Sequence, residues 1–238
     1  MWDLRKEDDA MIMKQPEHDN FISSLSVDRT GSTLLAASGD GRLSVWNSRQ
    51  RKLIARSDEC DSELLTCDVV HNGSKVVCGD GAGILNIFSW DDWGDISDRV
   101  VVQEDISIDV VLEYSPDVVV LGCMDGVIRA TSLFPHTPLP HIGDHSDNGI
   151  EALCLSPDQT DILSIGHDCV VRAWSVDQIE ESVRKLGEES EEEEEGEERD
   201  SDEEEEEDEK PRKKKKLKHI TSNEVKSKQS ADFFSDLA

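Results

Sequence analysis

The chain has 238 residues, 54 of them acidic and 25 basic, for a formal charge of −29 and a hydrophobic fraction of 36%. That fraction lies below the roughly 45–50% of an ordinary globular chain, so a uniformly folded chain is excluded and part of it is expected not to fold. A body of this sign repels phosphate, which argues against nucleic-acid binding through a basic face; Val118 to Met124, the longest apolar run, is too short to span a bilayer, and the charged start MWDLRKEDDA lacks the apolar stretch of a signal peptide.

In chain order, the same short alternating run follows a tight turn four times: Asp40 to Trp46, Ala82 to Phe88, Asp125 to Thr131 and Asp168 to Trp174. Their last residues are spaced 42, 43 and 43 apart, a regularity that identifies a repeat array. Within the fourth copy the order is Ile150 to Leu155, the turn Ser156-Pro157-Asp158, Ile162 to Ile165, the turn His167-Asp168, and Val170 to Trp174. Such runs, rich in Val and Ile and bounded by Gly, Pro, Asp and Ser, read as strands. A weaker fourth run follows in the first three copies, at Leu53 to Arg56, Val100 to Val102 and Leu139 to Ile142. Four short antiparallel strands per unit make one blade of a β-propeller, so the fold class is all-β. The six cysteines, Cys60, Cys67, Cys78, Cys123, Cys154 and Cys169, contain no CxxC pair and lie mostly in apolar runs. Reduced, buried thiols in an intracellular compartment are expected, with no metal or other cofactor.

The repeats resemble the WD40 family, whose blades carry Gly-His or a similar pair early and Trp-Asp late. His18 to Trp46 and His145 to Trp174 have that layout, while Met1-Trp2-Asp3 is similar to the end of a preceding blade, with Ala10 to Lys14 as its last strand. The resemblance implies a structural tetrad of His145, Ser164, Asp168 and Trp174 in the fourth copy. The first copy keeps His18, Asp40 and Trp46 but has Ala36 at the serine position, and the blade signature continues more weakly in Phe88 and Asp125. His145, Ser164 and Asp168 also have the residue types of a hydrolase triad, yet no Gly-x-Ser-x-Gly elbow or Gly-rich oxyanion loop accompanies them, and no enzymatic activity is expected. The family's usual ring has seven blades. About four are present over residues 1–178, so this segment is expected to be the C-terminal part of a longer propeller, with an unpaired strand or apolar face exposed from about His18.

Residues 179–238 form a charged tail. Glu188 to Glu209 holds 18 acids and one arginine, too much like charge to collapse, so disorder is expected. Lys210 to Lys218 follows, and Lys210, Arg212, Lys213, Lys214, Lys215, Lys216 and Lys218 around a proline match a nuclear import signal. Residues 231–237 end the chain with Phe233, Phe234 and Leu237, the pattern of a short docking segment. Together with SGDGRLSVWNSRQRKL, MDGVIRA and SIGHDCVVRAWSVDQ, this ending resembles the WD repeat-containing protein 55 family. The resemblance implies a nuclear and nucleolar scaffold, also present in cytoplasm, for protein–protein interactions in ribosome biogenesis and rRNA processing. Its partners would be preribosomal or nucleolar factors and a nuclear import receptor, with no direct nucleic-acid binding by the propeller and no membrane. A competing expectation is a substrate receptor of a cullin-RING ubiquitin ligase, because Trp2, Asp3 and Arg5 form the Trp-Asp-x-Arg end of the motif that docks on that ligase's adaptor.

Overall fold

Four antiparallel sheets, each built on a meander of three strands that pair in sequence order, make up the computed structural model, which describes residues 14–185. The first holds β1 (Ile22–Val27), β2 (Thr33–Ser38), β3 (Leu43–Asn47) and β4 (Lys52–Arg56). The second holds β5 (Leu64–Val70), β6 (Lys75–Asp80), β7 (Ile84–Ser89) and β8 (Asp98–Val101). In the third, β9 (Ile108–Ser115), β10 (Val118–Cys123) and β11 (Val127–Leu133) are edged by the two short strands β12 (His136–Pro138) and β13 (Gly143–Asp144). The fourth has β14 (Ile150–Leu155), β15 (Asp161–Gly166) and β16 (Val171–Ser175).

Two details repeat in every sheet. The innermost strand carries a bulge near its start, so that Ile22 and Ser24, Leu64 and Thr66, Ile108 and Val110, and Ile150 and Ala152 flank one extra residue each. The hairpin between the second and third strands has a fixed register, pairing Ala36 with Ser44, Cys78 with Asn86, Leu121 with Arg129 and Ser164 with Arg172. Gly41, Gly83 and Gly126 turn these hairpins at positive φ, and Cys169 takes the same conformation, at 60°, in the fourth.

The core lies between sheets. Leu35, Ala37, Leu43 and Val45 of the first pack on Leu64, Cys67, Val76 and Phe88 of the second. Val77, Leu85 and Ile87 of the second pack on Ile108, Val111 and Leu121 of the third. Val120, Ile128 and Ala130 of the third pack on Ile150 and Ile162 of the fourth. This is the blade-on-blade packing of a propeller, and it buries both faces of the second and third sheets and one face each of the first and fourth.

Three expectations need correction. The outer strand of the third sheet does not run through Leu139 to Ile142; Leu139 and Ile142 still donate to Ala130 and Ile128, but residues 139–142 form no strand. Pro138 and Pro140 have no N–H to offer a ladder, which breaks the strand into β12 and β13. After β16 the chain forms a helix, α1, over 177–185, in place of the fourth strand seen in the other sheets. Its Ile179 is 1% exposed and joins Val176 and Val183 in the core of the last interface, so ordered structure passes the boundary expected at 178. Among the cysteines, Cys60, Cys67, Cys78 and Cys123 are buried, but Cys154 and Cys169 are exposed. The blade-ending Trp2 and Asp3, Arg5, most of the strand expected at Ala10 to Lys14, the acidic run, the import cluster and the terminal aromatic segment lie outside the described residues.

Candidate functional site

The hairpin turns between second and third strands gather on one end of the sheets with a carboxylate in each. In the fourth sheet, Asp168 sits in the β15–β16 turn, Ser164 within β15, Trp174 on β16, and His145 just after β13. The His145 Nδ1–H donates to Asp168 Oδ2 at 2.8 Å, its Nε2 accepts from the Ser164 hydroxyl at 2.7 Å, and the Trp174 indole N–H donates to Ser164 Oγ at 2.7 Å. Each polar atom of the chain is thus partnered within it. Although this is the connectivity of a hydrolytic triad, Ser164 is 1% exposed and His145 fully buried, with the indole N–H occupying an oxygen lone pair that a nucleophile would need.

The first sheet builds the same chain from different strands. His18 Nδ1–H donates to Asp40 at 3.0 Å, while His18 Nε2 accepts from the Ser44 hydroxyl at 2.7 Å and the Trp46 indole N–H donates to that same oxygen at 2.8 Å. Ser44 is the direct cross-strand partner of Ala36, so the hydroxyl missing from β2 is supplied by β3. In the second sheet Asp80 accepts from the Ala82 and Ile84 N–H groups and from the Asn86 side-chain amide. In the third, Asp125 accepts a bidentate pair from Arg129 at 2.9 and 2.6 Å and a backbone bond from Val127. Ser44, Asp80, Asn86 and Arg129 were not singled out from the sequence. The signal that marks three of them is positional: Ser44, Asn86 and Arg129 each follow by eight residues the position that carries Ser164 in the fourth copy.

Hydrogen bonding outweighs burial at the turn carboxylates Asp125 and Asp168. For Asp168, burial pushes the carboxyl up, but the bonds from His145 and the Val170 N–H, with the charge of Arg172, outweigh it and hold the acid below its ordinary range. Asp125 behaves likewise through Arg129 and Val127. Burial has the opposite result at the cysteines, pushing Cys60, Cys67 and Cys123 up to about 11, which leaves them as packed thiols and not nucleophiles.

Between the second and third sheets the turn end opens into a cavity of about 600 Å³. Glu63, Asp105, Asp109 and Asp125 line it together with Leu65, Ile106 and the exposed Met124. Burial, and beyond it the nearby Glu151, raises the Asp109 carboxyl despite its hydrogen bond from Ser107. A concave site with four carboxylates and three apolar side chains suits a basic, partly apolar protein segment. No cluster of metal-ligating side chains is formed among the described residues.

Residues 11–47 and 136–175 match the WD domain, G-beta repeat family. WD repeat-containing protein 55 of Bos taurus is 33% identical over 183 residues, which cover 77% of this chain and 47% of the relative. The protein of that name in Arabidopsis thaliana is 34% identical over 181 residues, covering 76% and 50%. The chain thus spans about half the length of the curated relatives it matches. Among solved structures, the crystal structure of the computationally designed Ika4 protein shares the fold with a TM-score of 0.57 at 20% identity, covering 68% of this chain and 95% of that one.

Proposed function

Because the chain belongs to the WD repeat-containing protein 55 family of WD40-repeat proteins, we propose that it is a non-catalytic nuclear and nucleolar scaffold that holds basic protein segments during ribosome assembly and rRNA production. The observation that carries this reading is the carboxylate-lined cavity between the second and third sheets, on an already acidic chain. Factors bound to rRNA are rich in Lys and Arg, and a surface of this sign attracts them while repelling the RNA itself. The lack of a catalytic role is supported by the Ser164 chain, whose donors and acceptors are spent on one another beneath the surface. The nuclear location rests on the basic cluster from Lys210 to Lys218.

Affinity capture from nuclei with the full chain tests the reading. Preribosomal proteins should co-purify, and a Glu63→Lys/Asp105→Lys chain should lose them without losing its fold. Recovery of a cullin and its adaptor instead, abolished by Arg5→Ala, would replace this reading with the ubiquitin-ligase one.

A further inference from the structure

Between β8 of the second sheet and β11 and β12 of the third lies a second cavity, of about 290 Å³, which shares no lining residue with the acidic one at the turn end. Both sheets are covered on both faces by neighbours, so this cavity belongs to an interface whose two sides are present. Val100, Val102 and Leu139 give it an apolar lining, to which Gln103, His136 and His141 add polar groups. On a chain with 54 acidic residues, no carboxylate is among the residues that line it. His136 Nε2 already meets Asp98 Oδ2 at 3.3 Å, and Arg129 spends both its Nη atoms on Asp125. Among the described residues nothing holds the Gln103 amide or the His141 ring, so these two are left to receive an anion.

One side of the cavity is a strand edge. β8 ends its sheet and pairs only with β7. Val102 donates to Gly83, and the alternation of an antiparallel ladder then turns the Val101 N–H and C=O away from β7. Arg99 faces the same way, but its N–H is taken by Asp98 Oδ1 at 2.8 Å, so the edge is closed there and open at Val101, which is 59% exposed. The third sheet blunts its outer edge with Pro138 and Pro140, whereas β8 carries no proline.

We propose that this cavity binds an extended acidic peptide segment, which pairs with β8 at Val101 and places a small aliphatic side chain and, two residues on, a carboxylate into it. Residues two apart share one face of a strand, so the aliphatic group meets Val100, Val102 and Leu139 while the carboxylate reaches Gln103 and His141. Main-chain bonds at the edge supply affinity, and the cavity selects the sequence. Its volume has room for a pair of side chains and not for a folded partner. The site prefers the opposite charge to the carboxylate-lined cavity and does not depend on the function proposed for that one.

Isothermal titration of the full chain with short capped peptides of threonine tests this, one peptide carrying valine and, two positions later, glutamate, the other glutamine in place of the glutamate. The glutamate peptide should bind at least about fivefold more tightly. Gln103→Glu should weaken its binding and Gln103→Lys strengthen it, each by about threefold or more. Val101→Pro removes the open N–H and should weaken both peptides at least about tenfold. Gln103 and Val101 are exposed, and thermal melting checks the fold of each variant; should Val101→Pro melt early, the two Gln103 variants decide. No binding of the glutamate peptide, equal binding of the glutamine one, or an affinity unmoved by the Gln103 variants or by a folded Val101→Pro chain would overturn the proposal.

Discussion

The imidazole of His18 bonds a hydroxyl on β3, that of Ser44 at 2.7 Å, where the otherwise identical chain of His145 reaches a hydroxyl on the second strand of its sheet. The two serines occupy opposite members of equivalent cross-strand pairs, Ala36 with Ser44 and Ser164 with Arg172. Ser44→Ala should orphan His18 Nε2 and the Trp46 indole in a buried site and lower stability by about 1–3 kcal/mol. Adding Ala36→Ser should restore most of that loss, because the hydroxyl returns within reach of the same two groups. Urea unfolding of the three chains decides it; no recovery in the double variant would mean that the two sites are not interchangeable.

Ser164→Ala is expected to destabilise by a similar amount, about 1–3 kcal/mol, since it strands His145 and Trp174 together. Trp174→Phe keeps the ring and removes only the indole donor, at a smaller cost of roughly 0.5–1.5 kcal/mol. Neither change should alter turnover of an activated ester. A hydrolysis rate above background that disappears in Ser164→Ala while the melting temperature is unchanged would make the buried chain a catalytic one.

Stability should fall with acid through the turn carboxylates. At Asp40 burial raises the acid, but bonds from the Asp19 N–H, Ser38 and His18 outweigh it, and Asp125 and Asp168 are lowered in the same manner. A depressed folded value contributes stability that is present above the unfolded value of about 3.9 and is lost as pH drops through the folded one. Asp68 and Asp109 are raised by burial, so they act in the opposite direction, favouring the folded state as pH falls through their higher values. The melting temperature should therefore drop steeply only below about pH 4, and Asp125→Asn should flatten that limb. Parallel curves for the two chains would show that Asp125 gains nothing from Arg129.

Helix α1 is expected to be part of the cooperative unit. Ile179→Ala removes a side chain 1% exposed from the last interface and should cost about 2–5 kcal/mol. A chain ending at residue 178 should lose at least as much. If native-state hydrogen exchange found the amides of 180–185 unprotected and the truncated chain equally stable, the helix would be an ornament of the surface.

Replacing Lys213, Lys214, Lys215 and Lys216 with alanine removes most of the positive density of the basic cluster. A fluorescent fusion should then leave the nucleus of non-dividing cells, because the remaining chain is too acidic to be retained by nucleic acid. Continued nuclear accumulation would put the import determinant elsewhere.

The repeat, and with it the propeller class, was legible in the residues because turn chemistry is local. An aspartate and a glycine recur at nearly constant spacing before an alternating run in three copies, and the backbone conformation they favour is the same wherever the chain passes. The four hydrogen-bonded residues of the last copy could be named only through the resemblance to the WD40 family, whose layout His145 to Trp174 shares. Tertiary structure alone decided that Ser44 stands in for the absent serine, because a buried imidazole needs an oxygen at a point in space and two facing strands can both provide it. It also decided that Ile179 belongs to the core, packed with Val176 and Val183 in the last interface. Those facts concern the gap between two sheets, and a gap has no position in a sequence until packing against a neighbour defines it.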